Sequence, residues 1–238
     1  MSTIWPDISE RRLRPELMDD PSLDASEHRR ALAGLQRLNA VSGAVRAVWS
    51  GLRGAARRAG ELTVLDVAAG SGDVAIGLAR RARAEGVHVE MHAADLSPVA
   101  LETAREAAAC AGVSLTLHRM DVLRDPMPGE YDAVCCSLFM HHLSESDALG
   151  LLYRMRSAAR RLVVVSDLER TRMAAVLAYL GSRLLTRSRV VRTDAMLSVA
   201  AAFTISEFAE LAAEAGLAGV EVQRHFPARF VFVWKRPA

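Results

Sequence analysis

The sequence predicts an α/β fold: a mainly parallel sheet with helices on both faces, closed by an antiparallel hairpin. Three observations carry this. From Leu62 onward, short and almost continuously apolar runs alternate with stretches of helical periodicity. Strands buried on both faces read this way, and their alternation with helices gives parallel crossovers. The last two apolar runs, "VEVQRHF" and "FVFVWKR", are separated only by "PAR". So short a turn permits only antiparallel neighbours. Finally, 238 residues with 51% apolar and 24% charged side chains suit one large domain, or one domain with an appendage.

Taken in order, residues 1–24 are polar, carry Pro6, Pro15 and Pro21, and read as an irregular arm. Leu32, Leu35, Leu38, Val41, Val45 and Val48 recur at spacings of three and four. That marks an amphipathic helix or helix pair, broken near Ser42–Gly43. Residues 1–60 are therefore expected to be an arm and helical cap, and 61–238 the main domain. There, "LTVLDVA" is strand one and "DVAIGLARRARAEG" a helix ending at Gly86. "HVEMHAAD" is strand two. Ser97 caps the next helix with Pro98 in its first position, and that helix ends near Gly112. "SLTLHRMD" and "YDAVCCSLFM" are strands three and four, Ser144 opens a capped helix, and "RLVVVSDL" is strand five. Residues 169–203 interrupt the alternation as a lid-like insertion with a helix over Thr171–Leu185. "ISEFAELAAEAG" is the last helix, with Ser206 as its cap and Gly216 at its end.

Composition narrows the function classes. A net charge of +2 argues against a dedicated nucleic-acid surface. Cys110, Cys135 and Cys136 form no CxxC and read as thiols of a reducing compartment. The N-terminus lacks an apolar signal core, and the apolar stretch from Met173 is broken by Arg183 and too short to span a bilayer. A cytoplasmic location is expected. Nothing in the sequence sets an oligomeric state.

Ligands of open α/β sheets sit outside the carboxyl ends of the strands. Strand one ends in "DVAAGSGD". Gly70 and Gly72 let backbone approach a ligand closely, although a plain tight turn would use the same glycines. Strand two ends in Asp95, where a carboxylate can accept from both hydroxyls of a ribose. That pair fits a dinucleotide or S-adenosylmethionine. Asp73, in the first turn of the following helix, would repel a pyrophosphate but suit a sulfonium or ammonium group. Strand three ends in "MDVL", where Asp121 can accept from an exocyclic adenine amine while Val122 covers the ring. The terminal hairpin is also unusual for a dinucleotide fold.

On "VLDVAAGSGD", "AADLSP", "MDVL", "YDAVCCSLFMHHL" and the terminal hairpin, the chain from Leu62 to Arg236 resembles the class I S-adenosylmethionine-dependent methyltransferases. It is similar to their small-molecule branch, the ubiquinone and menaquinone biosynthesis enzymes. The resemblance implies a Rossmann-like sheet of seven strands with an antiparallel last strand. It implies that Asp66, Ala68, Gly70 and Gly72 surround the methionine end of the cofactor. Asp95 would hold the ribose, Leu96 would lie against the adenine, and Asp121 and Val122 would bind its edge. Ser137 and Leu138 would lie beside the methyl group. Strand four does not end in the Asn/Asp-Pro-Pro-Tyr/Phe pattern of enzymes that methylate base and amide nitrogens. Asp167 alone is placed for a metal, too few oxygens to hold one, so no metal is expected.

His141 and His142 follow strand four, beside the expected methyl position, and histidine can deprotonate a phenol or enol near neutrality. One of them, His141 preferred, is the candidate general base. Alternatively, the histidines only orient their loop. The insertion, through Met173, Val176, Leu177, Tyr179, Leu180, Leu184 and Leu185, is expected to face a hydrophobic acceptor. Arg183, Arg187, Arg189 and Arg192 would be a solvated face or hold an acidic group. The N-terminal helices are expected to cover the cofactor and help close the pocket; Arg37 and Asn39 either reach the cofactor carboxylate or the acceptor, or lie at the surface. These features suit O-methylation of a phenol-, polyketide- or quinol-like molecule. C-methylation of a quinol ring and a non-catalytic cofactor-binding protein are the alternatives.

Overall fold

The structure, a computed structural model, describes residues 7–19, 23, 24, 26, 27, 30, 31, 34 and 43–237. Strands β1 (Glu61–Val67), β2 (His88–Asp95), β3 (Leu115–Arg119), β4 (Tyr131–Ser137), β5 (Ala159–Leu168), β6 (Glu221–His225) and β7 (Arg229–Lys235) form one sheet. Its order is β3-β2-β1-β4-β5-β7-β6. Pairing is parallel from β3 across to β5, and β7 runs antiparallel to both β5 and β6. This is the Rossmann-like α/β sheet expected from the sequence. The strand order reverses between β1 and β4, which places a ligand crevice at their carboxyl ends.

Successive residues of a strand serve opposite faces. In β1, Leu62 and Val64 join a core with Val48, Trp49, Leu52 and Leu78 from helices α1 (Ala44–Ala59) and α2 (Asp73–Ala84). Leu65 and Val67 join the opposite core with Leu151, Leu152, Met155 and Phe208 from α4 (Glu145–Ala158) and α7 (Ile205–Glu214). Both faces are thus covered, which is why β1 reads as a continuous apolar run. Helix α3 (Pro98–Ala111) is capped by Ser97, which accepts from Ala100 N, and Ser144 caps α4 by accepting from Asp147 N. Helices α5 (Arg172–Leu185) and α6 (Arg189–Ala201) form the insertion after β5 and pack on one another.

Four details differ from the sequence expectations. Thr204, not Ser206, caps α7, because Glu207 stands three residues later and closes a reciprocal capping box. Strand β4 stops at Ser137 because Leu138 takes a left-handed φ of 57°. "RSRVVRTDAMLSVAA", unassigned by pattern, contains α6, capped by Ser188. Helix α1 starts at Ala44, with left-handed Gly43 as its N-cap. It lies on a face of the sheet, however, rather than over the cofactor crevice. Leu32, Leu35, Leu38, Val41, Arg37 and Asn39 lie outside the described residues. Among the described residues no single helix is long and apolar enough to cross a membrane; α6 and α7, bent by 62°, pass that test only as a pair.

Candidate active site at the carboxyl ends of the strands

One half of the site is built from the ends of β1 to β3. Asp95 bridges the first two: its Oδ2 accepts from Gly70 N at 2.8 Å and its Oδ1 from Ser97 N at 2.9 Å. Each carboxylate oxygen has two lone-pair directions, so capacity remains for a further donor. Gly70 has φ 55°, and a Cβ built on it meets nothing within 4 Å, so open space lies above it. Gly72 also has positive φ, but its Cβ would come within 3.0 Å of Ala104 Cβ. Its glycine is required by the close approach of α2 to α3. Leu96 is 61% exposed and presents an uncovered apolar side chain beside Asp95. Asp121 accepts from Leu123 N at 2.9 Å and is partly exposed, whereas Val122 is buried in the core.

Asp66 is fully buried in β1. Burial pushes its carboxyl up to about 7, against the opposing hydrogen bond from the Cys135 thiol at 3.5 Å. Its Oδ2 and the hydroxyl of Ser137 have no hydrogen-bond partner among the described residues. Buried polar atoms are ordinarily paired, so both require another donor or acceptor nearby.

The other half is assembled from distant parts of the chain. A cavity of about 320 Å³ is lined by Leu13, Arg14, Pro15 and Glu16 of the arm, by His141 and His142, and by Leu197 and Ala201 of α6. The histidines sit on a single 3-10 turn, Met140–His142. His141 is buried, and its Nδ1 lies 2.6 Å from Asp167 Oδ1 at the end of β5, while its backbone N–H donates to Asp167 Oδ2 at 3.1 Å. Burial works to lower the pKa of His141, but the Asp167 carboxylate outweighs it and raises the ring above its usual value. The same contact holds Asp167 below the usual carboxylate range despite its burial. His142, 4.3 Å from His141 between ring centres, is pushed down to about 4, first by burial and then by its neighbour. It is neutral at physiological pH.

The arm is fastened mainly through backbone groups. Arg11 donates to the carbonyls of Ala201, Leu143 and His141, and its guanidinium lies 3.7 Å from the centre of the Phe203 ring. Asp194 of α6 accepts from Leu17 N and Met18 N at 2.8 and 3.1 Å. Ser198 bonds Glu16, whose carboxylate stands 4.0 Å from His142 Nδ1. Among the described residues, Glu16, His141 and His142 are the one group of three that brings possible metal-ligating atoms within 4.8 Å of one another.

Residues 64–161, which include the glycine turn, Asp95, Asp121 and both histidines, match the family described as "Methyltransferase domain". Over that stretch the chain is similar to a methyltransferase domain. A stretch of 104 residues is 36% identical to demethylmenaquinone methyltransferase of Thermus thermophilus and, equally, to that of Deinococcus radiodurans. The match covers 43% of this chain and 46% and 42% of those relatives, so the chain spans less than half the length of either. The fold is that of an O-methyltransferase family 2 protein from Planctomyces limnophilus in complex with apigenin, at 17% identity and a TM-score of 0.62, covering 92% of this chain and 63% of that one. It is also that of magnesium protoporphyrin IX methyltransferase from Synechocystis with bound S-adenosylhomocysteine, at 19% identity and a TM-score of 0.58, covering 92% and 90%.

The fold brings the sequence-selected residues to one end of the sheet, with unequal access. Gly70, Asp95 and Leu96 border open space, and Asp66 and Ser137 carry unpaired polar atoms, a setting that fits S-adenosylmethionine. Gly72 and Val122 are instead taken up by packing. The insertion contributes through α6, not through the apolar residues of α5 as expected: Met173, Val176, Leu180 and Leu184 are exposed and none lines the cavity. Arg183, Arg187, Arg189 and Arg192 do not line it either. Sequence reasoning missed Glu16, Arg11 and Asp194. Glu16 and Arg11 lie in an arm without periodicity, and Asp194 in a segment of unassigned structure.

Proposed function

We propose that the protein transfers a methyl group from S-adenosylmethionine to a hydroxyl of a small hydrophobic acceptor of phenol, polyketide or quinol type. The observation that carries this reading is the His141–Asp167 pair opening into a cavity with Leu13, Pro15, Leu197 and Ala201 in its walls. Asp95 would hold the ribose, Leu96 and Asp121 the adenine, with Asp66, Ala68, Gly70, Ser137 and Leu138 around the methionine end and the methyl group. When bound, S-adenosylmethionine supplies a methyl group already activated by its sulfonium. The residues of the chain then have to seat the acceptor and take its proton. Asp167 occupies His141 Nδ1, which leaves Nε2 to accept the hydroxyl proton, and the carboxylate stabilises the imidazolium that forms. Neutral His142 hydrogen-bonds the acceptor, and the apolar walls exclude water.

The test is a panel of hydrophobic phenols and quinols against small polar amines, with His141→Ala compared in turnover and in affinity for S-adenosylhomocysteine. Turnover is expected to fall while affinity holds. Methylation of polar amines alone, unchanged turnover in the variant, or cofactor binding with no methylation of any acceptor overturns the reading. A second reading is methylation at a ring carbon of a quinol, supported by the function named for both demethylmenaquinone methyltransferase relatives. It uses the same residues. A new methyl carbon bonded to ring carbon in the product spectrum would replace the first reading with the second.

A further inference from the structure

We propose that α5 docks the protein onto an anionic lipid surface. A helix on the outside of a globular protein ordinarily turns its large apolar side chains inward. In helix α5, Leu177 packs inward beside the small residues, while four large apolar side chains face outward. Its buried side carries the small residues Ala174, Ala175 and Ser182. Its exposed side carries Met173, Val176, Leu180 and Leu184, at 60%, 41%, 50% and 84% exposure. These four follow one another at steps of three and four residues, so they form a single stripe along one face. The turn between β6 and β7 packs under α5 and exposes a further large apolar residue. Its Ala228 packs with Ala174 and Ala175, and it carries Phe226, 76% exposed.

Charge selects the occupant. From Arg172 to Thr193 the chain has five arginines and no acidic residue. Arg172, Arg183, Arg187 and Arg189 are exposed, and the Arg183 guanidinium lies 3.4 Å from the Tyr179 ring centre on the flank of the stripe. An apolar face edged by arginines is the pattern of a helix lying in a membrane interface. A second copy docked by the same face would set arginine against arginine, with no acid in the segment to pair them. An anionic headgroup layer supplies the missing charge and accepts the apolar stripe. Helix α6, packed behind α5, lines the cavity, so docking brings that cavity to a layer in which hydrophobic molecules dissolve. This inference goes beyond the methyl-transfer reading and does not depend on it.

The experiment is flotation of the full chain with vesicles of phosphatidylcholine alone, and with vesicles containing about a quarter phosphatidylglycerol. The protein is expected to float with the anionic vesicles only, and to release as salt rises. Leu180→Ser with Leu184→Ser is expected to cut the bound fraction at least about tenfold. Arg183→Gln with Arg187→Gln is expected to weaken partitioning about fivefold per arginine. Binding of S-adenosylhomocysteine should stay unchanged in both, which shows that they fold. No preference for anionic vesicles, or variants that float like the parent, overturns the proposal. So does a dimer in light scattering that the leucine variant splits while no form floats; the face would then be covered by a second copy.

Discussion

The two halves of the site are made in opposite ways. The half proposed for the cofactor is local: Gly70 and Asp95 sit on adjoining strand ends, joined by one hydrogen bond of 2.8 Å, and both stand in short motifs. The half proposed for the acceptor is composite. Glu16, His141 and Leu197 come from an arm, a turn and a helix far apart in the chain, and meet only in the folded molecule. A half built from adjacent strand ends is fixed by the sheet. A half built from distant pieces depends on the bonds that hold those pieces. Each half should therefore fail by itself when its own residues change.

The largest effect is expected within the second half. Asp167→Asn should lower turnover by about a hundredfold to ten-thousandfold, the usual worth of a positioned base, and leave affinity for S-adenosylhomocysteine intact. The pH profile checks the sign. Protonated His141 cannot accept a proton, so kcat/KM climbs with pH as the ring loses its own. Asp167 holds that ring above its ordinary value of 6.5, so the acid limb should lie above 6.5 in the parent and move down in the variant. Next comes Asp95→Ala, measured by calorimetry. Loss of two charge-assisted hydrogen bonds should weaken S-adenosylhomocysteine about tenfold to a hundredfold, with the acceptor KM little changed.

The two glycines of the motif separate binding from packing. Gly70→Ala and Gly72→Ala each carry a left-handed strain of about 1–2 kcal/mol. Gly72→Ala adds the 3.0 Å approach to Ala104, so its Tm should fall further, while Gly70→Ala should lose more cofactor affinity. Equal losses of both kinds would erase the distinction. Arg11→Gln should loosen the arm and raise the acceptor KM about threefold to tenfold, leaving cofactor affinity alone. The smallest effect is expected from a chelator, which should leave turnover unchanged. A loss that added metal restores would reassign Glu16, His141 and His142 to a cation.

The same contrast explains what could be read from the sequence. Strand β2 was legible to the residue, because an apolar run bounded by Gly86 and Ser97 has only one place to lie. Ser97, Ser144 and Gly112 mark helix ends by local chemistry, and they do so here. Thr204 is equally local: it and Ser206 can both cap, and Glu207, three residues after Thr204, decides between them. The outward face of α5 was not legible. Periodicity shows that a helix has an apolar side, and only the packing of Ala174 and Ala175 shows which side is covered. Arg11 and Glu16 left no local mark at all, since their partners stand more than a hundred residues away.

The way the arm is tied has a consequence for how such a protein can change its tastes. Its fastenings at Arg11, Arg12, Leu17 and Met18 are made to carbonyls of the chain or by its own N–H groups, whatever the side chains between them. Leu13, Arg14 and Pro15 stand between those anchors and line the cavity. They can be exchanged without untying the arm and without disturbing a single strand. On the proposed function, acceptor preference is thus free to drift, or to be redesigned, in three neighbouring codons while the residues proposed for the cofactor are inherited intact.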